Sequence, residues 1–195
     1  MRLFLGLRPP PAVAASIAER THAVLQGAIE KVYSATDLHL TLVFLGEVAP
    51  KREAELDVKF SRAFADAESF PLEIGGTGAF GNPGQEWALW AGIQPDVASG
   101  ARLQDLVARS RRLAEDCGIV LPVADLERPF APHLTLARPR TRERAPVEFR
   151  SLRFGVGWTA EAVHLFESVG GSKPGPRYPV RATQLLRERS AKPAS

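Results

Sequence analysis

Cysteine is nearly missing from this chain. Cys117 stands alone among 195 residues, which excludes an internal disulfide and a zinc cluster built on cysteines. Its place at the end of an amphipathic stretch reads as a small buried filler, not a reactive thiol. Long hydrophobic runs are missing too. No apolar run approaches the length that a membrane-spanning helix needs, and the opening Met1-Arg2-Leu3-Phe4-Leu5-Gly6-Leu7 is too short for a secretory leader with its cleavage site. A cytoplasmic protein with no membrane contact is the expectation. Neither sign of charge dominates. The 25 basic and 22 acidic side chains leave a balance of +3, and 45% apolar residues suffice for a full core, as in an ordinary folded domain. Lysine is scarce, 5 against 20 arginines. Arginine suits bidentate contacts to phosphate, although coding bias explains the excess equally well. A mildly basic balance permits nucleic acid as a partner without requiring it.

The hydrophobic pattern predicts a strand over residues 2–7, stopped by Pro9-Pro10-Pro11. These prolines open a helix carrying Val13, Ile17, Val24 and Leu25 that ends near Gly27. A strand over 39–46 follows, then a helix from Pro50 to about Ser69 with Leu56, Phe60 and Phe64 at helical spacing. Residues 70–74 and 86–93 read as strands around a glycine-rich turn. A third helix over 96–117 presents Leu103, Leu106, Val107 and Leu113. Further strands are expected at 133–138, 147–154, 161–169 and 178–186. Several of these strands adjoin one another through turns, which favours an antiparallel α+β fold. No linker separates independent domains. The expectation is a single domain over 1–186, made of two closely packed lobes, and a disordered polar tail over 187–195.

Histidine is rare as well, and two of the four histidines occupy the same phrase. His39-Leu40-Thr41-Leu42 returns 94 positions later as His133-Leu134-Thr135-Leu136. With threonine at only 8 positions, chance is a poor explanation, and the repeat points to a duplicated unit. On a strand, residues i and i+2 share a face. Each copy therefore shows an imidazole and a hydroxyl on one side and sends two leucines into the core on the other. A pseudo-twofold arrangement of the two strands would line one cleft with two His and two Thr. Imidazole titrates near neutrality. In-line displacement at phosphorus wants a base on one side and an acid on the other, with hydroxyls donating to the non-bridging oxygens. No metal or cofactor is called for.

The phrases His39-Leu40-Thr41-Leu42-Val43-Phe44-Leu45-Gly46 and His133-Leu134-Thr135-Leu136-Ala137-Arg138, the second preceded by Pro129-Phe130-Ala131-Pro132, resemble the two signature motifs of the 2H phosphoesterases. The likeness is greatest to the RNA 2′,3′-cyclic phosphodiesterase group, also called 2′-5′ RNA ligases or LigT-like proteins. The resemblance covers most of the chain, from residue 3 to Tyr178 and the strand after it. It implies a bilobal LigT-like α+β fold, two pseudo-twofold-related lobes with antiparallel sheets and outer helices, acting as a monomer. It also implies metal-independent hydrolysis of an RNA or nucleoside 2′,3′-cyclic phosphate end to a 2′-phosphate, with reversible 2′-5′ ligation as its companion reaction. By position, His39 would be the proton donor and His133 the proton acceptor, while Thr41 and Thr135 would bind phosphate. Arg138 matches an arginine often seen after the second motif. Strict strand parity points Arg138 away from His133, so it reaches the cleft only if the strand ends or twists there.

Other residues read as structural. His22 lies in an Ala-rich helix beside Glu19 and Arg20 and is expected in solvent. His164 lacks the companion Thr and is left out of the chemistry. Asp37 is expected as a turn residue, and Phe80, Trp87 and Trp90 as core. The cluster Arg138, Arg140, Arg142 and Arg144 is equally a guide for an RNA backbone and a solvated loop. Two alternatives stay open. One is a non-catalytic module that binds RNA ends; the other is a metal-dependent phosphoesterase drawing on Asp37.

Overall fold

A computed structural model describes residues 1–29, 31–123, 126, 129–139, 144–170 and 176–188. In chain order its elements begin with β1 (Arg2–Leu7), α1 (Pro11–Leu25), a 3-10 turn (Ala35–Asp37), β2 (Leu40–Glu47), α2 (Pro50–Phe64), β3 (Phe70–Phe80) and β4 (Ala88–Ile93). They continue with α3 (Val97–Asp116), β5 (His133–Ala137), α4 (Val147–Ser151), β6 (Gly157–Ala160), β7 (Ala162–Glu167) and β8 (Val180–Leu185). Local chemistry accounts for the helix starts. Pro11 and Pro50 occupy first helical positions, where the missing N–H costs nothing. Asp96 caps α3 by accepting from the Ser99 N–H at 2.7 Å, the preferred chemistry for that position.

The strands form one eight-stranded sheet in the order β6-β3-β4-β5-β2-β1-β7-β8, and every pairing is antiparallel. Read outward from its centre, the order is symmetrical: β5 with β2, β4 with β1, β3 with β7, β6 with β8. The two central strands meet through the pair Leu40↔Leu134, the same position of the two repeated phrases. The pseudo-twofold relation of the halves therefore passes between those two leucines.

Leu40 and Leu134 are fully buried, as are Leu3, Leu5 and Leu7 of β1. Each contributes roughly 1.5–3 kcal/mol by leaving water. Helices α2 and α3 pack on each other, α2 also against β8 and α3 against β2 and β3. Cys117 follows α3 as a buried free thiol, and burial pushes its pKa up, in keeping with a filler. No helix among the described residues is long and apolar enough to cross a membrane.

Three stretches differ from the sequence reading. The segment read as a strand over 147–154 is the short helix α4, entered from Pro146. Only Phe149 within it is buried, and one helical turn satisfies that need. The glycines read as a turn after residue 74 lie inside β3, which runs on to Phe80. Two of them make room for side chains: a Cβ on Gly78 would stand 2.3 Å from the Trp90 indole, and one on Gly75 would stand 2.5 Å from the Gln94 side chain. Glycine within a strand marks such close approaches. The reversal comes later, where Gly81 and Gly84 take positive φ. At the C-terminal end, Arg187 still bridges to Glu68 and accepts from the Ser69 N–H at 2.8 Å. Positions 189–195 of the expected tail lie outside the described residues.

Candidate active site

His39 stands one residue ahead of β2 and His133 opens β5. Continuing the Leu40↔Leu134 register one step either way sets His39 across from Thr135 and Thr41 across from His133. Antiparallel neighbours at this separation bring side chains of one face together. The cleft thus holds two crossed His–Thr pairs.

The two imidazoles are held alike. The Nδ1 of His39 lies 2.7 Å from the Asp37 carbonyl oxygen, and that of His133 lies 2.7 Å from the Ala131 carbonyl oxygen. A carbonyl only accepts, so Nδ1 carries the proton in both rings. Each Nε2 stays outside that bond, bare in the neutral ring and N–H in the charged one. The chain bends just before each strand, so the carbonyl two residues back reaches the ring; the same local solution occurs in both copies.

The surroundings of the two differ. His39 sits among Tyr178, Phe4 and Phe166, at ring-centroid distances of 4.5, 4.7 and 5.7 Å. Burial drives its pKa down to about 4 against the hydrogen bond that Nδ1–H donates to the Asp37 carbonyl, with the Arg8 charge adding to the depression. The wall behind it is tied together. Tyr178 and Tyr33 hydroxyls approach to 3.4 Å, Asp37 accepts from Ser34 at 3.0 Å, and Arg177 lies 3.9 Å from the Asp37 carboxylate. Burial and the Tyr33 hydroxyl raise the pKa of Tyr178, keeping its phenol neutral.

His133 is more open. Phe80 meets it edge-on at 4.9 Å and Trp90 lies at 6.4 Å, and burial lowers its pKa. Two cavities flank it. One of about 320 Å³ is lined by Thr41, His133, Thr135, Phe80, Trp87 and Arg138 among others. The other, about 340 Å³, lies against Gly76, Trp90, Gly92 and His133.

The structure thus gathers His39, Thr41, His133 and Thr135, all half-buried. Arg138 joins them because β5 ends at Ala137. The exposed side chain swings over Trp87, 5.5 Å from the ring, while its N–H is fixed to the Lys31 carbonyl at 2.9 Å. Arg140 and Arg142 lie outside the described residues. Asp37 is in the 3-10 turn, as expected, with its carboxylate engaged by Ser34 and Arg177. Among the described residues no three His, Cys, Asp or Glu side chains converge as a metal site.

One expectation needs correction. Phe80, Trp87 and Trp90 are not core: Trp87 is 42% exposed, and all three edge the cleft around His133. Their strand alternation was legible, but an apolar stretch does not reveal which face is covered. Arg8 and Tyr178 escaped the sequence reading altogether. The alternation Phe4, Gly6 and, just past β1, Arg8, opposite the buried Leu3, Leu5 and Leu7, was the available signal for Arg8.

Known proteins resemble this chain in sequence and in fold. Residues 9–172 match the model of the 2′-5′ RNA ligase superfamily. The chain is 31% identical over 192 residues to an RNA 2′,3′-cyclic phosphodiesterase of Thermus thermophilus, covering 96% of this chain and 91% of that one. It is 33% identical over 117 residues to one of Geobacillus stearothermophilus, but the match spans only 34% of that relative and 60% of this chain. The crystal structure of TT0787, also of Thermus thermophilus, superposes with a TM-score of 0.74 at 28% identity, covering 97% of this chain and all of that one. With the paired phrases at the centre of the sheet and the family match running across both of them, this chain belongs to the 2′-5′ RNA ligase superfamily.

Proposed function

We propose that this chain hydrolyses RNA or nucleoside 2′,3′-cyclic phosphates to 2′-phosphomonoesters, acting as a monomer. The observation that carries the reading is the matched pair of imidazoles, each bonded through Nδ1 to a backbone carbonyl and each leaving Nε2 for the cleft. In the scheme, His133 Nε2 takes a proton from water as the water oxygen bonds to phosphorus. The P–O3′ bond breaks on the opposite side, and His39 Nε2–H gives its proton to the departing 3′ oxygen. Thr41 and Thr135 hydroxyls donate to the non-bridging oxygens, where charge grows in the transition state, and Arg138 adds a phosphate contact. The scheme calls on no metal ion.

A nucleoside 5′-hydroxyl in place of water would yield a 2′-5′ bond, and the cavities flanking His133 leave room for one. Relatives named RNA 2′,3′-cyclic phosphodiesterase support the substrate class. The buried lone thiol of Cys117 suits a reducing, cytoplasmic setting.

The test is turnover of a 2′,3′-cyclic-phosphate oligonucleotide in excess EDTA, with the product position assigned by phosphorus NMR. A 2′-phosphate is expected. A 3′-phosphate product would refute the assignment of acid and base. Loss of activity in EDTA restored by one added metal would refute the two-histidine scheme, and tight binding with no product would support a binding module instead.

A further inference from the structure

In-line displacement with His39 as the acid places the ribose, which carries the departing 3′ oxygen, on the His39 half of the cleft. The strand leading into that ribose then runs over the same half, where two groups that the proposed reaction does not use face it. The first is Arg8, just past β1. Its Nη2 donates to the carbonyls of Tyr178 at 3.0 Å and Thr36 at 3.4 Å, and its guanidinium lies over the Phe166 ring at 5.0 Å. Nε is buried with no partner, and among the described residues no carboxylate forms an ion pair with Arg8. The second is His164 on β7. It pairs with Gly6 of β1 on one side and Thr183 of β8 on the other, and its ring lies 5.5 Å from the Phe166 ring. Phe166 therefore touches His39, Arg8 and His164 together.

We infer that Arg8 and His164 form a second anion subsite, beside the reacting centre, that takes the phosphate on the 5′ side of the terminal nucleoside. The subsite rests on the function proposed above and sharpens its substrate class. The preferred substrate is an RNA 3′ end, or a 5′-phosphorylated nucleoside cyclic phosphate, over a bare nucleoside 2′,3′-cyclic phosphate. The imidazole is suited to the task as a neutral donor. Its Nδ1 lies 2.9 Å from the Thr183 hydroxyl, and when that hydroxyl donates, Nε2 carries the proton and can donate it to an anion. Burial and the Arg8 charge hold its pKa near 4, so it binds without needing to be charged. The acidic groups nearby are engaged: Asp37 by Ser34 and Arg177, and Glu167 by Arg181 at 3.5 Å. The fixed charge is Arg8, which is hydrogen-bonded to the backbone and so preorganised.

The experiment compares adenosine 2′,3′-cyclic phosphate with its 5′-phosphorylated form on the wild type, Arg8→Gln, His164→Ala and His164→Gln. The wild type should favour the 5′-phosphorylated substrate by about tenfold or more in kcat/KM, the value of one charge-assisted phosphate contact. The gain should lie in KM and weaken as salt rises. His164→Ala should abolish most of it while leaving turnover of the bare substrate within about twofold. His164→Gln, which keeps a donor, should restore part of it. Arg8→Gln should remove the preference and its salt dependence. Equal kcat/KM for the two substrates on the wild type would overturn the subsite and leave the cyclic phosphodiesterase reading standing. A His164→Ala variant that loses both substrates equally would overturn it too. If neither substrate is turned over, the function itself fails, and the subsite with it.

Discussion

Binding of the substrate anion should reset the protonation of His39, and the size of the effect follows from the structure. In the empty cleft, burial among Phe4, Phe166 and Tyr178 holds the ring near pKa 4, so at neutral pH it is uncharged and carries no proton to give from Nε2. A phosphodiester in the cleft brings one negative charge. At an effective dielectric constant near 20, a unit charge at about 4 Å is worth about 4 kcal/mol, close to three pKa units. The sum brings His39 back to about 7 in the complex, where half the rings carry the proton that the 3′ oxygen needs. The acid is thus armed by its own substrate. The assay is a histidine-resolved NMR titration of the His133→Gln protein, which should bind without turnover, with and without a saturating 2′,3′-cyclic nucleotide. An upward shift of His39 by two to three units is expected from that estimate. In steady-state kinetics, the alkaline limb of kcat, where the acid loses its proton, should titrate near 7 and that of kcat/KM well below it, since the two report the complex and the free enzyme. A free-protein pKa near 6.5, or a bound value that does not move, would refute the reasoning.

The remaining predictions are more direct. His39→Ala and His133→Ala should each lower turnover by roughly 10²–10⁴-fold while circular dichroism stays unchanged, since both rings are half-buried at the cleft and the leucines behind them carry the packing. Stability should fall as pH drops from about 6.5 to 4. His39 is held below its unfolded pKa, so the unfolded chain binds the extra proton in that window, and the ring alone accounts for a loss of about 3 kcal/mol. Urea denaturation at pH 7 and pH 4 measures it, and His39→Gln should remove that share of the difference, leaving the share of His164, which is held near the same pKa. Gly6→Ala should cost about 1–3 kcal/mol, because the added Cβ would stand 2.6 Å from the Leu40 carbonyl oxygen, where β1 pairs with β2 beside the first repeated phrase. Thermal melting measures it.

Much of this was legible in the residues because it depends on short-range rules. Strand parity put His39 with Thr41 and His133 with Thr135 on one face, and proline and aspartate at helix starts located α1, α2 and α3 closely. The misreadings came where local pattern underdetermines the answer. Residues 147–154 alternate well enough for a strand, but a single buried Phe149 is satisfied by one turn of helix. The glycines after Ile74 read as a turn, whereas in the fold Gly75 makes room for Gln94 and Gly78 for Trp90 inside a continuing strand. Phe80, Trp87 and Trp90 are apolar at strand spacing, and only the folded arrangement, in which they edge the cavities beside His133, makes them cleft residues.

The repeated phrase by itself determined the two-copy architecture, the four side chains of the cleft and their pairing with buried leucines, since these follow from a period of two and from duplication. Register, neighbours and electrostatics were decided only in three dimensions. The Leu40↔Leu134 pair crosses each histidine with the other copy's threonine, the end of β5 frees Arg138 toward Trp87, and residues as distant as Arg8, Phe166 and Tyr178 converge on His39. Desolvation and Coulomb forces act through space, and no spacing along the chain states which side chains will share a dielectric. The two histidines are identical in sequence and unequal in setting for that reason.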